Sequence, residues 1–208
     1  MKKYYERYWE KPDKAAPVTD VTTPKRLKLL FETIGEGKKV LDVGCGNGYI
    51  TKKMVDQGNE VIGMDISANA IKEARRINPD IKFICCSAEQ RYPFKNEKFD
   101  IVFAGEVIEH IYDTSFMFSE INRVLKNKGL LILTVPYHGI LKNLYIALLN
   151  FENHYDPEGA HIRFYTVKSL KKTLSKYGFC IVTAKGILRV YPLYANMFVV
   201  AKKRRNVK

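Results

Sequence analysis

Val40-Leu41-Asp42-Val43-Gly44-Cys45-Gly46-Asn47-Gly48 decides how the rest of the chain is read. Strand-forming residues run into a loop with glycine at every second position, the pattern of a buried strand turning sharply into a helix. Glycine allows φ > 0 there and lets a ligand approach where a side chain would collide. The helix that follows offers N–H groups and a positive dipole end to that ligand. The spacing is G-x-G-x-G and not the G-x-G-x-x-G of dinucleotide-binding folds, and Asp42 stands two residues before the first glycine.

Outward from this loop, strands and helices alternate. Pro24 opens a helix with apolar positions Leu27, Leu30, Phe31 and Ile34. Strands are expected at 39–42, 60–65, 81–86, 99–104 and 130–135, and helices at 49–57 and 114–125. Ser67 caps a further helix carrying Ala70, Ile71, Ala74 and Ile77, which Asn78-Pro79 stops. This is the alternation of an open, doubly wound α/β sheet, mostly parallel. The last third reads differently, with a helix at 167–177 and then strands at 179–184 and 194–201. Two strands with no helix between them imply an antiparallel pair at one sheet edge. The stretch 138–163 is long for a connection, and long connections in compact domains are usually functional.

At 208 residues the chain suits one domain, 1–208, with one core. Residues 1–17 do not read as a signal peptide, and the apolar run 144–149 is far short of the ~20 residues of a membrane span. Cys45, Cys85, Cys86 and Cys180 have no metal-finger spacing and read as reduced cytosolic thiols, so a cytoplasmic location is expected. A net charge of +13 suits either an acidic partner or plain solubility, and part of it sits in a basic tail, 202–208.

The motif and the order of the elements resemble the class I S-adenosylmethionine-dependent methyltransferases along nearly the whole chain. The resemblance implies a Rossmann-like seven-stranded sheet with an antiparallel C-terminal strand. Ligands in such sheets bind outside the carboxyl ends of the strands at the topological switch point. The resemblance assigns Gly44 and Gly46 to the amino-acid part of adenosylmethionine and counts Asp42, Gly48 and Ile66 among the cofactor-binding residues. Asp65 falls at the ribose, Ser87, Ala88 and Glu89 at the adenine, and Glu106 beside the cofactor. The family often has Asp-Ala where this chain has Ser87-Ala88.

After the fourth strand comes Gly105-Glu106-Val107-Ile108-Glu109-His110. If helical, it puts Glu106, Glu109 and His110 on one face. Such a set serves as a general base, His110 oriented by Glu109, or as a site for a divalent cation such as Mg2+. The segment resembles two subfamilies, the O-methyltransferases of ubiquinone biosynthesis and the small-RNA terminal 2′-O-methyltransferases. The second implies a metal on Glu106, Glu109, His110 and a later histidine, here His161. The apolar segment 139–151 favours the first. Within the insertion 137–163 it reads as a lid packed through Leu141, Leu144, Leu148 and Phe151, or as a peripheral membrane contact. The segment 1–23, with Tyr5, Tyr8 and Trp9, reads as an N-terminal lid.

The expected activity is therefore methyl transfer to a small-molecule acceptor, through a hydroxyl of a phenolic or lipid-like metabolite. A nucleic-acid substrate is the alternative, without an added RNA-binding module to support it. A nicotinamide-binding protein is a second alternative, disfavoured by the missing third glycine.

Overall fold

The computed structural model describes residues 1–10 and 20–206, so residues 11–19 of the expected N-terminal lid and 207–208 of the expected tail lie outside the described residues. The aromatic N-terminus is a helix, α1 (Lys2–Trp9), and Pro24 stands in the first turn of α2 (Thr23–Ile34). Then follow β1 (Lys39–Val43), α3 (Tyr49–Asp56), β2 (Glu60–Asp65), α4 (Ala68–Ile77) and β3 (Lys82–Cys85). The second half holds β4 (Phe99–Gly105), a single 3₁₀ turn (Ile108–His110), α5 (Thr114–Val124) and β5 (Leu125–Pro136). After α6 (Ile140–Leu149) and α7 (Phe151–His154) come α8 (Val167–Lys176), β6 (Phe179–Ile187) and β7 (Asn196–Lys203).

The seven strands run in the order β3-β2-β1-β4-β5-β7-β6. β1 pairs in parallel with both β2 and β4, so the chain winds one way from β1 and the other way from β4. The crevice between the ends of β1 and β4 is the switch point, and the glycine loop opens there. β7 runs antiparallel between β5 and β6, which makes it internal and buried along most of its length. Alternate residues of each strand face opposite layers. Val40, Ile101, Phe103 and Ile132 pack against α2 and α3 through Leu29, Leu30, Ile34 and Met54. Leu41, Val43, Val102 and Leu133 pack on the other face against α5 and α8, through Met117, Phe118, Leu170 and Leu174.

Two expectations change. β5 starts at Leu125, five residues earlier than the apolar run suggests, because Leu125 already pairs with Phe99 ahead of a register shift. The basic tail begins later than 202. Lys202 and Lys203 belong to β7, and the buried Lys203 Nζ donates to the carbonyls of Asn122 and Leu125, each at 2.7 Å. Those are the open carbonyls at the end of α5, where a cation is favoured.

Candidate active site

Gly44, Gly46 and Gly48 all have positive φ (74°, 53° and 80°), so the loop does use the freedom that its spacing announces. Its amides are spent within the protein. Gly44 N and Cys45 N donate to the Met64 carbonyl, and Gly46 N donates to Asp65 Oδ2 at 2.9 Å. What the loop offers a ligand is close approach, not amide donation. Gly48 serves packing, since a Cβ there would meet the Phe83 ring at 2.7 Å. Asp42 is buried, accepts from Thr51 Oγ1 at 2.6 Å, and its carboxyl is pushed up to about 7 by burial. Asp65 ends β2 with Oδ1 accepting from Ser67 N and Oδ2 from Gly46 N. Burial raises its carboxyl in spite of these donors.

Two adjoining cavities, about 680 and 790 Å³, open at this end of the sheet and share Trp9, Gly44, Gly46, Glu106, His154 and His161. The first holds Asp65, Ile66, Ser87, Ala88, Glu89 and His110, under Tyr5 and Tyr8 of α1. The second holds Asp42, Glu109, Arg26, Lys142, Arg189 and Asn196. Gly48 borders neither cavity. Ser87 Oγ accepts from Glu89 N, and Glu89 Oε1 accepts from Asp113 N, so this segment is held by its own bonds.

Glu106, Glu109 and His110 do not share a helical face. Glu106 has φ 56°, which breaks any helix at its first residue and leaves only the 3₁₀ turn. Its Oε2 accepts from Asn196 Nδ2 at 2.6 Å, and Oε1 lies 3.6 Å from Arg26. The cluster that forms is Glu109, His110 and His161, whose ligand-type atoms lie within 4.8 Å of one another. Two ties bring His161 there. The Glu109 carbonyl accepts from Ile162 N and Arg163 N, and the Arg163 guanidinium donates to the carbonyls of Ile111 and Tyr112.

His110 Nδ1 faces the Ala160 carbonyl at 2.9 Å and must donate to it, which leaves the Nε2 lone pair 3.8 Å from Glu109 Oε1. Burial lowers the His110 pKa to about 4, so the ring is neutral at physiological pH. Glu109 is 1% exposed and neither carboxyl oxygen has a hydrogen-bond partner among the described residues. Burial, and then Glu106, push its carboxyl well above the usual range, toward the protonated form. His138 borders neither cavity. It packs on His154 and Phe164, with Nδ1 against Asn143.

Three participants carry no motif. Arg26 is buried, with Nε unpartnered and its guanidinium turned toward the second cavity. Its only sequence signal is an arginine one turn into a helix of otherwise exposed lysines. Glu6 of α1 accepts from Ser67 Oγ, Ala68 N and Asn69 N, a carboxylate seated on the N-terminus of α4. That seat holds Tyr5 edge-on to His110 (5.8 Å, 83°) and the Trp9 ring against Gly46. Lys142, the lysine of the apolar segment, is buried, whereas Leu141, Leu144, Leu148 and Phe151 are exposed. The segment therefore borders the cavity through Lys142, Tyr145, Ile146 and Leu149, and the four residues expected to pack as a lid do not.

Residues 41–133 match the family model described as a methyltransferase domain. The ubiquinone biosynthesis O-methyltransferase of Bradyrhizobium sp. (strain ORS 278) is 29% identical over 93% of this chain and 83% of its own length. The mitochondrial protein of that name from Bos taurus is 29% identical over 88% of this chain, which spans only 55% of it. Among solved structures, the 1,6-didemethyltoxoflavin-N1-methyltransferase of Burkholderia thailandensis, with 1,6-didemethyltoxoflavin and S-adenosylhomocysteine bound, has the same fold. Its TM-score is 0.74 at 17% identity, covering 98% of this chain and 87% of that one.

Proposed function

We propose that this chain is a class I S-adenosylmethionine-dependent methyltransferase that methylates a hydroxyl of a phenolic, lipid-like small molecule, a reading supported by the methyltransferase-domain match at 41–133 and by its relatives. The relatives' shared description as ubiquinone biosynthesis O-methyltransferases supports this acceptor class. The observation that carries the hydroxyl is His110, a neutral imidazole with its lone pair in the cavity and its other nitrogen tied to a backbone carbonyl.

The residues suit the cofactor. Arg26, a buried guanidinium with an unspent donor, matches a carboxylate, and with the glycine loop and Asp42 it would hold the amino-acid end. Asp65 retains lone pairs for the ribose hydroxyls. Ile66, Ser87, Ala88 and Glu89 would border the adenine, and Glu106 the region between the two cavities. Adenosylmethionine supplies a sulfonium-bound methyl group to an oxygen lone pair aligned with it. His110 Nε2 would take the hydroxyl proton, and protonated Glu109 would donate to the acceptor and fix its direction. α1, seated by Glu6, would close the first cavity against water.

A second reading of the same cluster is a divalent cation held by Glu109, His110 and His161, with Glu109 ionised on binding. Glu106, occupied by Asn196 and Arg26, would join only by leaving them. Calorimetric binding of adenosylmethionine, and of NADH as its rival, tests the family site. Transfer of labelled methyl to 4-nitrocatechol with and without EDTA tests the cation. Undiminished turnover after chelation assigns the chemistry to His110 alone, and a loss reversed by Mg2+ assigns it to the metal.

No helix of the described residues is long and apolar enough to cross a membrane. Ile140, Leu148 and Leu149 of α6 are 84%, 72% and 71% exposed, and Val190 and Tyr191 in the neighbouring turn are 76% and 74% exposed. An apolar surface at a cavity mouth suits a cytoplasmic protein that touches a bilayer to collect a lipid-like acceptor. Co-sedimentation with phosphatidylglycerol vesicles is expected to be lost in Leu141→Glu/Leu148→Glu, with adenosylmethionine affinity unchanged. Equal sedimentation of the variant removes the membrane reading.

A further inference from the structure

α6 is inverted relative to an ordinary amphipathic helix. Ile140, Leu141, Leu144, Tyr145, Leu148 and Leu149 are exposed, while Lys142 is buried. The Lys142 ammonium spends one of its three N–H donors on the Ala195 carbonyl at 2.9 Å and forms no ion pair among the described residues. It faces the second cavity together with Arg189 and Asn196.

The charged groups around it give it no counter-ion. Arg189 repels it, and the one acid that favours its charge is Glu106, already engaged by Asn196 and Arg26. Burial keeps His138, His154 and His161 toward their neutral forms, and the Lys142 charge pushes each further the same way. Of the acids that line the second cavity, Asp20 and Glu106 face Arg26, Asp42 is bonded to Thr51 and Glu109 lies beside His110, and none forms an ion pair with Lys142 among the described residues. A buried cation without a partner is unfavourable, and the deficit is met if a ligand brings the negative charge.

We propose that Lys142 is the counter-ion of the methyl acceptor, which binds as an oxyanion, an ionised phenol or enol, with its charged oxygen facing the ammonium. This rests on the hydroxyl-methylating reading above. In the ionisation the acceptor O–H bond breaks, the proton passes to His110 Nε2 or to water, the electron pair stays on oxygen, and Lys142 keeps its own proton. The proposal lightens the task of His110, whose Nε2 then receives a proton from an acceptor already acidified by the ammonium. It also narrows the acceptor to hydroxyls acidic enough to ionise beside a cation.

4-Nitrocatechol, whose ionised form absorbs in the visible, is the probe, added to the full chain saturated with S-adenosylhomocysteine. An opposite charge within a few ångströms is expected to raise the ionisation constant of the bound probe about 10- to 1000-fold over the free one. With S-adenosylhomocysteine kept saturating, Lys142→Met should erase that shift, and Lys142→Arg should keep part of it. A role limited to tying α6 to the Ala195 carbonyl predicts no change in probe ionisation. The inference is overturned if the wild-type protein fails to bind the probe, binds it with the free ionisation constant, or shows a shift that Lys142→Met retains. If Lys142→Met does not fold, the wild-type titration and Lys142→Arg decide. If S-adenosylhomocysteine itself does not bind, the reading of the family site fails, and the inference with it.

Discussion

Asp65→Asn is expected to weaken adenosylmethionine binding about 100-fold while leaving turnover at saturating cofactor within about threefold. Both carboxylate oxygens of Asp65 accept from backbone amides, Oδ2 from Gly46 N and Oδ1 from Ser67 N. An asparagine has one oxygen and one NH2, so whichever way it turns, one amide faces another donor. Leaving a buried donor unpaired costs ~1–3 kcal/mol, and hydrogen bonds to a charged acceptor are worth ~1.5–3 kcal/mol each. The loop that carries Gly46 would lose its clamp together with the ribose acceptors. Calorimetry of cofactor binding, beside the thermal midpoint as a folding control, decides it. Unchanged affinity in a folded variant would remove Asp65 from the cofactor site.

His110→Ala should do the converse, lowering turnover ~100- to 1000-fold with adenosylmethionine affinity nearly unchanged. Alanine removes the imidazole that lines the first cavity, and with it the ring contacts to Tyr5 and His161. The pH profile gives a second readout. A histidine of ordinary pKa would lose activity on acidification near ~6.5. Burial lowers the His110 pKa to about 4, so its neutral, proton-accepting form persists as pH falls and is lost only below that value. The titration of His110 should therefore cause no loss of turnover between neutrality and about pH 5. Collapse of cofactor binding with intact turnover in His110→Ala would overturn the base assignment.

The sheet was legible because its strands are buried runs bounded by glycine, serine and Asn-Pro punctuation, and such signals are local. The expected strand 60–65 matches β2 to the residue, and the other parallel strands match within one or two residues except at the start of β5. The site was legible where a motif fixes backbone, at Gly44, Gly46 and Asp65, and much less where a side chain is aimed by tertiary contacts. Glu106 is separated from His110 because φ turns positive immediately after β4, which periodicity cannot register. His161 reaches His110 through Arg163 and the Glu109 carbonyl, contacts about fifty residues apart in the chain. Hydropathy places Lys142 outward and the leucines inward. The Ala195 carbonyl and the cavity reverse both.

The place of β7 in the sheet has a consequence for biosynthesis. β6 leaves the ribosome before the strand that joins it to the sheet, and β5 keeps an open edge until β7 arrives and pairs with both at once. The N-terminal strands can associate while translation continues. The half that carries α6, His161 and the Asn196 contact to Glu106 waits for the last strand to be delivered. Newly made chains thus hold a preassembled nucleotide half and an unpaired edge, the feature that chaperones and aggregation both recognise.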